Sequence, residues 1–191
     1  MRGGVILKPL PFMECDPAGD HFTWNSMHMG GYERKLAQKG LAYYLPIKYS
    51  EVPRYMRENC QTDVVAIQVA PMDDYGFFNF GVSISHYAAA IEKAHTVIVE
   101  VNEDMPKVHG GYEHTVHISK VDYIVEGGHS GLPVLPSAAP SDIDKKIADF
   151  VLSDIHDGSC IQLGIGGMPN ALGKMIAESD LKDLGIHTEM L

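Results

Sequence analysis

Cysteine is scarce in this chain, and basic charge is scarcer than acidic charge. Cys15, Cys60 and Cys160 are odd in number, far apart and form no C-x-x-C pair. That pattern excludes a disulfide framework and fits reduced thiols in a cytoplasmic protein. Fifteen Lys and Arg face 25 Asp and Glu, a net charge of −10, so a nucleic-acid surface built on clustered cations is excluded. A small anionic ligand stays compatible, because backbone amides at a helix N-terminus hold anions with little help from Lys or Arg. Long apolar runs are also missing. The longest, around Val64–Ala70 and Thr96–Val101, are strand-length, so no membrane-spanning helix is expected. The N-terminal apolar stretch is broken by Pro9 and Pro11 and is no signal peptide. P-loop, nucleophile elbow, H-E-x-x-H, Ser-His-Asp arrangement and internal repeat are all lacking.

What remains is an ordinary globular composition. The 191 residues are 45% apolar and 21% charged, enough for one sizeable core or two small domains. Val5–Leu10, Leu41–Ile47, Asp63–Ala70, Phe77–Phe80, Thr96–Val101, Val116–Val125 and Ser159–Leu163 read as strands. DVVAIQVA at 63–70 has the continuous apolar character of a central parallel strand buried on both faces. Between the strands lie helices at Tyr32–Gln38, after Ser50 to Asn59, and from Ser83 or Ser85 to Ala94. Residues 127–140 hold three Pro and three Gly and read as a linker. Ser141-Asp142-Ile143-Asp144 starts a further helix with a capping-box pattern. Behind it Ile143, Ile147, Phe150, Val151 and Ile155 recur at helical spacing, and Gly158 ends it. Strands alternating with helices predict an α/β fold, an open and mostly parallel sheet with helices on both faces.

Ligands of such sheets gather at the carboxyl ends of strands, where loops enter the next helices. The segment 160–190 supplies two such ends. Gly164-Ile165-Gly166-Gly167-Met168 follows one strand, and its glycines permit φ > 0 and close approach of backbone N–H groups to a ligand. Pro169 suits the first turn of a helix over 170–178, whose positive end faces the turn. Such a cradle holds a phosphate, a thioester oxygen or an oxyanion, while a tight packing turn explains the glycines equally well. The dinucleotide fingerprint is a weak match, since its sixth position is Pro169. Ile186–His187 forms a second short strand beside the first, and Glu189 follows it into the same crevice. Gln162 is a further candidate donor.

Leu163-Gly-Ile-Gly-Gly-Met-Pro-Asn-Ala171 and Leu184-Gly-Ile-His-Thr-Glu-Met190 resemble the acetyl-CoA hydrolase/transferase family. The similarity is greatest to its 4-hydroxybutyrate CoA-transferase and butyryl-CoA:acetate CoA-transferase group. Gln68–Gly81, Val99–Pro106 and His117–Glu126 carry it across nearly the whole chain. The resemblance implies that Glu189 is a covalent nucleophile and that Gly164, Ile165, Gly166, Gly167 and Met168 bind coenzyme A. It implies acyl-CoA and a short-chain carboxylic acid as substrates, no permanently bound cofactor and no metal. It further implies that residues 1–191 are a partial N-terminal domain, inactive alone, with the C-terminal domain absent from this chain. A CoA-thioester hydrolase and a silent CoA- or nucleotide-binding fragment are the rival readings. Homo-oligomerisation is left open.

The other chemistry-bearing residues get bland readings. His109, Glu113, His114 and His117, with His129, lack a Cys pair and read as polar loop rather than a zinc site. His28 and His86 read as structural, and Lys174 and Lys182 as solvated, though near enough in sequence to meet CoA phosphates.

Overall fold

The computed structural model describes residues 1–188 apart from Val5, Leu7, Tyr112, 128–130 and 134–138. The chain divides into two compact units, Met1–Pro133 and Val134–Leu191. The first unit opens on β1 (Arg2–Gly3), α1 (Pro11–Cys15), β2 (Trp24–Ser26), α2 (Gly31–Gln38) and β3 (Ala42–Tyr44). Its strands pair in parallel in the order β1-β2-β3, and Met13, Trp24, Leu36 and Leu41 bury together against them. No described residue of the stretch 5–10, expected as a strand, is in one. Pro11 opens α1 instead, because its fixed φ and missing N–H suit a first helical turn.

The larger sheet follows. Helix α3 (Val52–Asn59) leads into β4 (Val64–Val69), then β5 (Phe77–Asn79), α4 (Tyr87–Lys93) and β6 (Thr96–Val101). The last pieces of the unit are β7 (Thr115–His117) and β8 (Tyr123–Glu126). β4, β6 and β8 pair in parallel, with Val64 opposite Thr96 and Val69 opposite Val101. β5 and β7 form the one antiparallel pair among the described residues. β-Branched residues make these strands, and the two-residue period decides what they bury. Val65, Ile67, Val69 and Val99 pack against Val52 and Met56 of α3 and Ala89 and Ala90 of α4. The other face differs from the expectation of burial on both sides: Val64 is 58% exposed and Val125 48% exposed.

Three local expectations also change. The stretch 116–125 is broken by a 3-10 turn at Ile118–Lys120, which the His117 side chain caps by accepting the Ser119 amide. Ser50 does not cap α3; it lies inside a 3-10 turn, Tyr49–Glu51, that runs directly into that helix. Neither Ser83 nor Ser85 caps α4, which His86 precedes without a side-chain cap.

The second unit contains α5 (Asp142–Ser153), β9 (Cys160–Ile161), α6 (Gly167–Ala177) and β10 (Gly185–Ile186). Ala148 of α5 is buried against Ala171 and Leu172 of α6, with Leu152, Ile155 and Leu163 around them. The apolar stripe expected to be core splits. Ile155 packs, whereas Ile143 is 70% and Phe150 76% exposed. Helix α5 ends at Ser153, and Gly158 lies beyond it in a turn with φ +77°.

The capping box is present as expected. Ser141 Oγ accepts the Asp144 amide at 3.2 Å, and the Asp144 carboxylate accepts the Ser141 amide at 2.9 Å. The Ser141 hydroxyl and then the Ser141 amide hold the Asp144 carboxyl below its ordinary range. A depressed folded pKa stabilises above the unfolded value of about 3.9 and stops doing so as pH falls through the folded one. Ser141→Ala is therefore expected to cost about 1 kcal/mol at neutral pH and to return the Asp144 titration upward. An unchanged Asp144 titration by NMR would show that the cap does not act.

Candidate functional site

β9 and β10 run side by side in parallel, Cys160 opposite Gly185 and Ile161 opposite Ile186. The pairing continues past the strands, since the His187 amide donates to the Ile161 carbonyl at 3.0 Å. One residue later Thr188 Oγ1 donates to the Leu163 carbonyl at 2.7 Å. Thr188 is thus fastened to the residue that immediately precedes Gly164. Glu189 lies outside the described residues, but its peptide neighbour is held at the mouth of the glycine turn. Sequence reasoning did not single out Thr188. A hydroxyl beside a candidate nucleophile was the available signal.

Gly166 is the residue that shapes the turn. It precedes α6 with φ 138° and ψ 176°, a region that essentially only glycine occupies. Helix α6 begins at Gly167, three residues earlier than the sequence suggests, so Met168 and Pro169 form its first turn. Asn170 donates the first helical hydrogen bond, to the Gly166 carbonyl at 3.1 Å. Among the described residues, no backbone hydrogen bond takes the N–H groups of Ile165, Gly166, Gly167 or Met168. These donors sit at the positive end of an 11-residue helix. The arrangement can hold a phosphate or stabilise an oxyanion.

The three glycines do different things. A Cβ on Gly164 would meet only Pro169 Cγ, at 3.9 Å, and its φ lies outside the left-handed range. Neither packing nor conformation within the described residues demands glycine there. A Cβ on Gly167 would come within 3.2 Å of an Asp144 carboxylate oxygen, so this glycine makes room for the acidic cap of α5. Further along α6, Gly173 lets the helix approach Leu163, where a Cβ would stand 3.2 Å from Leu163 Cδ1. Ile165 is 70% exposed at the tip.

The remaining candidates are placed plainly. Gln162 is exposed. Lys174 pairs with Glu178 at 3.8 Å on an exposed helix face. Lys182 donates its amide to the Asp157 carboxylate at 2.8 Å. His114 Nδ1 bonds the Gly111 carbonyl, and His117 Nδ1 bonds Ser119 Oγ at 2.8 Å. His129 lies outside the described residues. Among the described residues no three His, Cys, Asp or Glu side chains gather as metal ligands would, and no helix is long and apolar enough to cross a membrane.

A mostly parallel α/β protein has here a glycine turn at a strand's carboxyl end, its amides taken by no backbone group among the described residues, the place where folds of this class bind small ligands. Comparison with known proteins narrows the class. Residues 10–136 match the acetyl-CoA hydrolase/transferase N-terminal domain, and the chain belongs to that family. Over its whole length it is 58% identical to a butyryl-CoA:acetate CoA-transferase of Anaerostipes caccae, of which it covers 43%. Over 90% of its length it is 40% identical to a 4-hydroxybutyrate coenzyme A transferase of Clostridium kluyveri, covering 39% of that protein. It is similar to the crystal structure of RipA from Yersinia pestis, with a TM-score of 0.77 and 32% identity over 89% of this chain and 40% of that one. The chain thus spans about two-fifths of the length of these relatives. The domain match ends at residue 136, close to the boundary after Pro133, and the glycine turn lies beyond it.

Proposed function

We propose that this chain is part of a CoA-transferase that moves coenzyme A between a short-chain acyl-CoA and a carboxylate of the acetate, butyrate or 4-hydroxybutyrate type. Gly164 to Met168 receive the coenzyme A thioester, and Glu189 is the covalent nucleophile. Residues 1–191 are a partial N-terminal part of the whole enzyme, whose other substrate contacts come from outside this chain. The observation that carries the reading is the fastening of Thr188, the residue before Glu189 in sequence, to Leu163, the residue before a turn whose amides no backbone group takes among the described residues.

The chemistry balances without redox change or net proton transfer. A Glu189 carboxylate oxygen attacks the thioester carbonyl carbon, the C–S bond breaks, and CoA thiolate leaves an acyl–glutamyl anhydride. Thiolate then attacks the glutamyl carbonyl, releasing the first carboxylate and leaving a glutamyl-CoA thioester. The second carboxylate attacks that thioester and expels thiolate. The thiolate takes the new acyl group and frees Glu189. Each addition places negative charge on a carbonyl oxygen, and amides of the Ile165–Met168 turn are donors suited to stabilise it. Water must be kept out while the anhydride lives.

Three unpaired cysteines fit the reducing cytoplasm as the proposed compartment. No permanently bound cofactor is called for. The test uses the protein extended to the length of its relatives, supplied with butanoyl-CoA and acetate. Acetyl-CoA should form with parallel double-reciprocal lines, and little free CoA should appear without acetate. Acetate-independent release of CoA at the full rate would instead make the enzyme a hydrolase.

A further inference from the structure

The first unit holds a polar cluster that the transferase reading does not use. A cavity of about 160 Å³ is lined by Tyr49, Ser50, Val52, Pro53, Ser85 and His86. Two segments 36 residues apart build its polar wall. Tyr49 OH donates to Ser85 Oγ at 2.6 Å, and Ser85 Oγ lies 2.8 Å from His86 Nδ1. In one of the two arrangements this contact allows, the Ser85 hydroxyl accepts from Tyr49 and donates its own proton to Nδ1. The imidazole is then the tautomer that carries hydrogen on Nε2. Among the described residues that nitrogen has no hydrogen-bond partner. Burial lowers the His86 pKa, in keeping with a neutral ring that accepts at one nitrogen and donates at the other.

The backbone supports a built arrangement. Ser85 is one of two described non-glycine residues with positive φ, at +44°. Serine holds this conformation at a cost, and the hydroxyl contacts to Tyr49 and His86 are what it gains there. A donor chain running from phenol through hydroxyl to imidazole polarises its last N–H and strengthens it. Val52, 1% exposed and part of the core, and Pro53 also line the cavity. No Lys or Arg lines the space, which disfavours phosphates. The volume suits roughly five water-sized groups.

We propose that Tyr49, Ser85 and His86 form a binding site for a small aliphatic monocarboxylate, its head on His86 Nε2–H and its chain against Pro53. A charged acceptor makes the stronger bond to the polarised donor, and the apolar wall takes the short hydrocarbon. The site is a property of the first unit alone, so its failure would leave the reading of Gly164–Met168 untouched.

The test follows the His86 ring Cε1–H signal by NMR while this chain is titrated with sodium butanoate at pH 7. A saturable movement is expected, at concentrations up to about 0.1 M, where a site with Kd near 1 mM is filled. Ser85→Gly should weaken binding about tenfold or more, the scale of one charge-assisted hydrogen-bond network, while keeping the fold, because glycine is at ease at that φ. No saturable movement would overturn the proposal. So would unchanged affinity in Ser85→Gly, and so would an equal response to butan-1-ol, which lacks the carboxylate.

Discussion

Gly166→Ala is expected to lower the stability of this chain by about 1–3 kcal/mol, the cost of forcing a Cβ into a glycine-only region of backbone space. For a chain of this size that corresponds to a fall of roughly 2–12 °C in melting temperature. The same substitution should weaken coenzyme A binding by the full-length protein more than tenfold, because relaxing φ from 138° rotates the amides on either side of it. Gly164→Ala separates the two effects. Its Cβ meets only Pro169, at ordinary contact distance, so stability should hold within about 0.5 kcal/mol. Yet a methyl group at the mouth of the turn should still obstruct the thioester. Thermal melts paired with calorimetric titration of coenzyme A read both quantities. A Gly164→Ala protein with undiminished affinity would return the turn to a packing role.

How much of this was legible in sequence depends on the range of the interaction that decides each feature. β6 is found at its sequence-read bounds, Thr96–Val101, because a β-branched run between turn residues needs no partner to declare itself. The capping box at Ser141 and Asp144 is a contact across three residues and was equally plain. The pairing of the Ser159–Leu163 and Ile186–His187 stretches was also anticipated, since a short helical crossover places successive parallel strands together, and it is found as Cys160–Ile161 beside Gly185–Ile186. Illegible features are tertiary. Nothing near Ser85 announces Tyr49, 36 residues earlier, and the left-handed Ser85 backbone follows from neither local propensity nor pattern. The stripe on α5 misled for a related reason. Periodicity shows that a helix has an apolar face, but Ala148 rather than Phe150 meets α6. Gly166 was legible as a glycine of the turn, whereas the extreme φ that sets it apart from Gly164 was not.

In the protein extended to the length of its relatives, Glu189→Gln should abolish CoA exchange, by up to about a millionfold, the scale seen when a covalent nucleophile is removed. Coenzyme A affinity should change little, because the amides of the turn remain. The argument rests on what an amide cannot do: a neutral carboxamide is a poor nucleophile toward a thioester and forms no anhydride. Incubation with butanoyl-CoA should attach coenzyme A to the wild-type peptide containing residue 189, and mass spectrometry should find no such adduct in the variant. Glu189→Asp is the more demanding case. It keeps the charge but withdraws the carboxylate by one methylene, while Thr188 stays fastened to Leu163. A displacement of about 1 Å costs on the order of a hundredfold when reacting atoms are held in place. The aspartate variant should therefore turn over at an intermediate rate. Full activity in Glu189→Gln would show that another residue carries the covalent step. Full activity in Glu189→Asp would show that the tether does not fix the carboxylate's reach.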